Sequence, residues 1–105
     1  MEKTQRIRVG IVGVGGIAQH QHIPGYLRRC ENVEIAALCD VDEARLQAAG
    51  EKYGVSQLTT DYKELVQLDN LDVVDICTWP NMHHPVAMAA IAQGKHVFCE
   101  KPMAL

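Results

Sequence analysis

Ile7-Arg8-Val9-Gly10-Ile11-Val12-Gly13-Val14-Gly15-Gly16-Ile17-Ala18 passes from a short apolar run into a glycine-rich bend. The run is short and β-branched, so it reads as a buried strand, and the glycines predict a tight turn into a helix. In a strand-turn-helix of this kind Gly13 permits the turn and Gly15 lets the backbone come close to a diphosphate. Ala18, small at the third position, keeps helix and strand close. Phosphates would then lie against the N–H groups at the start of the helix, around Gly16 and Ile17, and against the positive end of its dipole. A glycine-rich turn also closes ordinary loops and serves methyltransferases and flavoproteins, so the rest of the chain must support the reading. The next apolar run, Val33-Glu34-Ile35-Ala36-Ala37-Leu38-Cys39, ends in Asp40. An acid about 20 residues beyond the turn is where this fingerprint places a ribose ligand.

Strand-like and helix-like segments alternate along the whole sequence, the pattern of a parallel sheet covered on both faces. The first helix is expected from near Gly15 to about Cys30, kinked or restarted at Pro24-Gly25. Asp42 is placed to cap a helix over Glu43 to Tyr53, with Gly54 as a left-handed stop. A short strand follows near Gln57-Leu58-Thr59, and Asp61 with Glu64 resembles a capping box for a short helix through Leu68. Val73-Val74-Asp75-Ile76-Cys77 reads as a fourth strand. After Thr78-Trp79-Pro80, Asn81 is a candidate cap for a helix reaching Gln93 and stopped by Gly94, and His96-Val97-Phe98-Cys99 is a fifth strand. Right-handed crossovers give a Rossmann-type doubly wound α/β sheet of order 3-2-1-4-5, with ligands bound beyond the carboxyl ends of strands 1 and 4. Gly13, Asp40, Thr78 to Asn81 and Glu100-Lys101 all fall on that edge.

The 105 residues, 48% hydrophobic, are enough for one small domain spanning 1–105. A net charge of −3 with interspersed acids and bases gives no basic face for nucleic acid and no polybasic run for an anionic membrane. The polar start, Met1 to Arg6, carries no apolar stretch long enough for a signal peptide or membrane span, so a cytoplasmic chain is expected. Cys30, Cys39, Cys77 and Cys99 lack zinc-ligand or redox-pair spacing and read as reduced core thiols. His20 and His22 are spaced by one residue on a helix, point in different directions and lack acidic or cysteine companions, so surface or packing roles and no metal site are expected.

With these residues in place, the sequence resembles the Gfo/Idh/MocA family of NAD(P)-dependent sugar and polyol oxidoreductases. The resemblance rests on Gly13-Val14-Gly15-Gly16-Ile17-Ala18, on Asp40, on Pro80-Asn81-Met82-His83-His84 and on Gly94-Lys95-His96-Val97-Phe98-Cys99-Glu100-Lys101-Pro102. It implies that the glycine turn (Gly13, Gly15, Gly16, Ile17, Ala18) cradles the pyrophosphate and that Asp40 binds the adenosine ribose. It also implies that Thr78, Trp79, Pro80, Asn81 and His84 border the cofactor, and that Glu100 helps to hold the site. Lys101 is the implied catalytic residue, reaching nicotinamide ribose and substrate hydroxyl. There an ammonium stabilises developing alkoxide charge while hydride moves to nicotinamide. The family has threonine where this chain has Trp79, so the threonine's contacts do not carry over; the ring is expected to pack at the crevice.

Family members continue into a second α/β domain bearing the substrate pocket and an aspartate-histidine pair. The chain therefore reads as a truncated cofactor domain without substantial dehydrogenase activity alone. NAD is favoured over NADP, because Asp40 would repel a 2′-phosphate and Val41, not arginine, follows it. Competing readings are a noncatalytic nucleotide-sensing or protein-interaction module of the same fold and a methyltransferase-like domain; the Glu-Lys-Pro ending counts against the latter. The apolar edge at Val97-Phe98-Cys99 predicts self-association, as a homo-oligomer or as aggregate.

Overall fold

A computed structural model of the chain describes residues 6–16, 18–29 and 32–99. Five parallel strands run in the order β3-β2-β1-β4-β5, the order expected from the sequence. They are β1 (Ile7–Val12), β2 (Val33–Cys39), β3 (Leu58–Thr59), β4 (Val73–Ile76) and β5 (His96–Cys99), joined by helices α1 (Ile23–Arg29), α2 (Glu43–Tyr53), α3 (Tyr62–Val66) and α4 (Pro80–Ala92). Alternation along the strands divides the core into two layers. Val9, Ile11 and Leu38 face Ile23 and Leu46, whereas Val12, Ala37, Val74 and Ile76 face Leu65, Val66, Val86 and Ala90. β1, central and flanked by β2 and β4, carries the glycine turn at its carboxyl end.

Several local signals act as the sequence predicts. Asp42 accepts the Arg45 N–H at 3.1 Å at the start of α2, and Gly54 closes that helix at φ 70° in the left-handed region. Gly94 does the same after α4 at φ 76°. Others resolve differently. The first helical segment comes in two pieces, but the join precedes Pro24: a π-helical turn, Ala18–His22, passes directly into α1. Helix α3 stops at Val66, short of Leu68. Asp61 caps α3 through the Lys63 N–H at 2.9 Å, but Glu64 does not complete a capping box. Its carboxylate accepts from Thr59 Oγ1 at 2.7 Å, and the same hydroxyl oxygen accepts the Asp61 N–H at 3.1 Å. Helix α4 begins at Pro80, whose missing N–H costs nothing at the first helical position; Trp79 stands at the cap without a side-chain bond, and Asn81 lies inside the first turn. Cys77 sits just past β4.

Arg8 and Asp72 tie β1 to the start of β4. The Arg8 N–H donates to Asp72 Oδ2 at 2.8 Å, Arg8 Nε donates to the same oxygen at 3.3 Å, and the Asp72 N–H returns a bond to the Arg8 carbonyl at 2.8 Å. The backbone bond from Arg8, then its side chain, holds the Asp72 carboxyl below its ordinary 3.8. A depressed carboxylate adds stability that is complete above its unfolded value and is lost as pH falls through the folded one, so the effect begins to fade at about pH 4 and is gone only below the folded value. Asp72→Asn should cost no more than about 1 kcal/mol at pH 7, because both side chains are well exposed and screened. Urea titrations at pH 7 and pH 3 check this: the deficit should shrink at the lower pH, and a pH-independent deficit would contradict it.

Candidate dinucleotide site

The glycine turn is shaped by its neighbours on both sides. Gly13 adopts φ 95°, a region that favours glycine, and its N–H donates to the Cys39 carbonyl at 2.7 Å. A Cβ there would lie 2.8 Å from Thr78 Cγ2 and 2.9 Å from the Cys77 carbonyl oxygen, so the turn runs directly against the end of β4. Gly15 and Gly16 face outward, Gly15 half-buried and Gly16 exposed. A Cβ on Gly15 would meet only Arg45 Nη1, at 3.6 Å. This side-chain-free backbone facing outward suits the close approach of a diphosphate. Ala18 is fully buried in the core layer beneath β1, matching its expected role between helix and strand. Gln19 reaches back from the π-helical turn to donate to the Val14 carbonyl at 2.7 Å.

Asp40 belongs to the same unit. Its Oδ2 accepts the Val14 N–H at 2.9 Å and its Oδ1 accepts the Asp42 N–H at 2.8 Å. The side chain is only 6% exposed. The carboxylate is thus neither a solvated loop acid nor a simple helix cap: it braces the glycine turn against the loop leaving β2. A ribose can use only the lone pairs left over on this carboxylate. Beside it, burial pushes the Cys39 thiol up to about 12, with the charges of Asp40, Asp61 and Glu64 adding to the effect.

The β4 side contributes Thr78, half-buried against Gly13. Trp79 does not pack as expected; it is 79% exposed, leaving its ring at the rim. Asn81 and His84 are also exposed, and the neighbouring His83 is the one that bonds locally, Nε2 donating to the Thr78 carbonyl at 3.0 Å. β5 ends at Cys99, paired with Ile76, at this same edge of the sheet. Ile17, Glu100 and Lys101 lie outside the described residues. Gly13, Gly15, Gly16, Asp40 and Thr78 are therefore brought together, with Trp79, the start of α4 at Pro80, Asn81 and His84 along one rim.

One cluster has no counterpart in the sequence reading. Asp75, fully buried, accepts from His22 Nδ1 at 2.7 Å and from the Tyr26 hydroxyl at 2.6 Å on the same oxygen. Cys77 Sγ lies 3.3 Å from His22 Nδ1 and 3.6 Å from the other Asp75 oxygen. Contrary to the sequence expectation, the fold thus supplies His22 with acidic and thiol companions, and His22 is buried, its ring tilted at 47° against Phe98 with centroids 5.4 Å apart. A signal for it existed: a carboxylate in the middle of a buried strand needs partners, and His22 and Tyr26, four apart, share a helical face. Of the cysteines expected as reduced core thiols, Cys39, Cys77 and Cys99 are free and Cys39 is buried, but Cys77 is only half-buried and Cys99 is exposed; Cys30 lies outside the described residues.

Comparison with known proteins places this geometry. Residues 7–105 match the model of the Gfo/Idh/MocA oxidoreductase family, NAD-binding Rossmann fold. The chain is 38% identical to the inositol 2-dehydrogenase/D-chiro-inositol 3-dehydrogenase of Lactiplantibacillus plantarum, covering 100% of this chain and 30% of that protein. It superimposes with a TM-score of 0.86 at 31% identity on scyllo-inositol dehydrogenase from Lactobacillus casei with bound NAD(H) and scyllo-inositol, over 96% of this chain and 29% of that one. A TM-score of 0.87 at 29% identity relates it to the WlbA dehydrogenase of Chromobacterium violaceum in complex with NADH and UDP-GlcNAcA, over 98% of this chain and 29% of that one. The chain thus spans about 30% of the length of the curated relative it matches. Among the described residues no helix is long and apolar enough to cross a membrane. With the glycine turn, the acid after β2 and the end of β4 drawn to one edge of a 3-2-1-4-5 sheet, this chain belongs to the Gfo/Idh/MocA oxidoreductase family, whose NAD-binding Rossmann fold its residues build.

Proposed function

We propose that residues 1–105 form the cofactor-binding part of an NAD(P)-dependent oxidoreductase that moves hydride between a hydroxyl-bearing carbon of a sugar, polyol or cyclitol and nicotinamide. The substrate-binding part lies outside these residues, in keeping with the 30% of the curated relative that they cover. The observation that carries the reading is the junction of Gly13 with Cys77 and Thr78, and of Val14 with Asp40, at the carboxyl edge of β1 and β4. Open α/β sheets bind ligands in the crevice at such an edge.

In this reading the bound dinucleotide supplies the hydride acceptor or donor. Gly15 and Gly16 give its diphosphate unobstructed backbone, and Asp40 keeps the turn in shape while facing the ribose with its spare lone pairs. Thr78 and the start of α4 border the nicotinamide half, with Trp79, Asn81 and His84 at the rim. By resemblance to the family, Glu100 and Lys101 complete the site, the Lys101 ammonium stabilising negative charge on the substrate oxygen as its proton leaves.

Calorimetric titration with NADH tests the cofactor reading. Saturable binding is expected, and Gly15→Val should weaken it by about tenfold or more by placing methyl groups where the diphosphate approaches. Because the new side chain meets nothing closer than Arg45 at 3.6 Å, the melting temperature should move by less than about 3 °C. A folded wild-type chain that does not bind NADH would refute the reading. Asp40→Ala is the poorer probe, since it also strips the Val14 and Asp42 N–H groups of their acceptor.

A further inference from the structure

We propose that His22, Asp75 and Cys77 form a structural site for a transition-metal ion of the zinc class, between the π-helical turn and the end of β4. The site goes beyond the cofactor reading above and does not depend on it. Three donors of different chemistry, an imidazole, a carboxylate and a thiol, converge there with their ligand atoms within 4.8 Å of one another. His22 reaches the other two across 53 and 55 positions of chain. Cys77 Sγ stands 3.3 Å from His22 Nδ1 and 3.6 Å from Asp75 Oδ1. Tetrahedral zinc, with bonds of about 2.0–2.3 Å, sets its nitrogen, oxygen and sulfur ligands about 3.3–3.6 Å apart. Both sulfur distances already match. His22 Nδ1 meets the other carboxylate oxygen, Oδ2, at 2.7 Å, an N–H bond that the ion would replace.

The surroundings suit an ion. The Asp75 side chain is fully buried and that of His22 nearly so. With Cys77 as thiolate, Asp75 as carboxylate and His22 as neutral imidazole, a divalent ion brings the site to zero net charge, the condition under which such groups stay buried. Thiolate and imidazole favour zinc over magnesium or calcium, which take oxygen ligands. The Tyr26 hydroxyl donates to Asp75 Oδ2 at 2.6 Å, which leaves Oδ1, the oxygen near Cys77, for the ion. A hydrogen bond to the ligating carboxylate is the usual support from the outer shell. The Phe98 ring covers the histidine, whereas Cys77 is half-buried and marks the side from which the ion and a water as fourth ligand enter. Binding releases the thiol proton to solvent and moves the His22 proton from Nδ1 to Nε2. The ion would tie the turn that carries His22 to Cys77, whose carbonyl abuts Gly13, and so brace the glycine turn from below.

Titration of the full chain, reduced and stripped by a chelator, with Zn²⁺ tests the site. One equivalent should bind with a Kd of about 1 µM or tighter. Zinc at about 100 times that Kd should raise the melting temperature by about 10 °C or more. Cys77→Ser should weaken binding at least about a hundredfold and remove the thermal shift, and His22→Gln, which alters a different ligand, should do the same; Tyr26→Phe, an outer-shell change, should weaken it about tenfold. Cys99→Ser removes an exposed thiol outside the cluster and should bind as wild type does. Co²⁺ in place of zinc should give a thiolate-to-metal charge-transfer band in wild type and Cys99→Ser that is absent in Cys77→Ser. Affinity should fall as pH is lowered, because the thiol must lose its proton. Wild type without saturable zinc binding, zinc binding that survives both Cys77→Ser and His22→Gln, or a cobalt complex without the thiolate band would overturn the proposal. Circular dichroism of the metal-free variants separates a lost ligand from a lost fold, and NADH titration of the same samples keeps the outcome apart from that of the cofactor reading.

Discussion

Gly13→Ala destabilises the folded chain by about 2–4 kcal/mol and removes dinucleotide binding. Two costs add. An L-residue at φ 95° pays for left-handed backbone, about 1–2 kcal/mol. Its methyl group must also settle 2.8 Å from Thr78 Cγ2 and 2.9 Å from the Cys77 carbonyl oxygen. The threonine methyl can turn away, but the carbonyl belongs to a backbone fixed by the Cys77 N–H bond to Val12 at 2.8 Å. Relief therefore has to come from the glycine turn itself, which would pull Val14 off Asp40 and shift the backbone proposed to meet the diphosphate. Urea denaturation and NADH titration of the same sample measure both effects. A loss of stability under about 1 kcal/mol would show that the turn relaxes freely, contrary to the packing described here. The contrast with Gly15→Val separates the two roles of the glycines, since Gly13 is required by the fold and, in the function proposed above, Gly15 by the ligand.

Asp75→Ala should cost a comparable amount, about 2–4 kcal/mol, without touching the glycine turn. The substitution leaves a cavity in the middle of β4, where Asp75 is fully buried, and deprives the His22 ring and the Tyr26 hydroxyl of the carboxylate acceptor at 2.7 and 2.6 Å. Removing one member of a buried polar network costs more than the network contributes in net terms, because the remaining groups keep their desolvation penalty. A double-mutant cycle with Tyr26→Phe makes the claim specific. The two substitutions should be non-additive by about 1 kcal/mol or more, Tyr26→Phe costing less once Asp75 is gone. Additivity within error would mean that the hydroxyl contributes nothing through Asp75. The network also accounts for the position of the π-helical turn: widening the helix over Ala18–His22 lets His22 point inward onto β4 while Ile23 still reaches the core.

Much of this molecule was legible in its residues, for reasons that are local. Glycine after an apolar run, Asp42 ahead of an amphipathic segment, and Gly54 and Gly94 behind their helices act through sterics and hydrogen bonds within a few residues, so sequence alone locates them. The alternation of strand and helix, with right-handed crossovers, leaves little choice of strand order, and the order found is the one those rules give. Family resemblance then points at Asp40 and the β4 loop as neighbours of the glycine turn, which they are.

What those residues do within the site was a different matter. Asp40, expected as a ribose ligand, is also a brace for the glycine turn, accepting two backbone N–H groups, one from its own loop and one from a turn far back in the chain. Trp79 had been expected to pack and lies exposed; Asn81 had been expected to cap and sits inside the helix, because Pro80 fills the first position and shifts the start. Asp75 mid-strand signals a need for partners, and His22 with Tyr26 a shared helical face, but across 53 positions nothing in the sequence pairs them. By itself the sequence determined the layered α/β architecture, the strand order and the edge where a ligand belongs, since each follows from periodicity, handedness and short-range capping. Only the tertiary structure decided which polar groups satisfy one another inside it and that Arg45 comes up beside Gly15 and Asp40. Pairing of that kind is set by how helices seat on the sheet, a sum of many packing contacts that no short stretch of residues encodes.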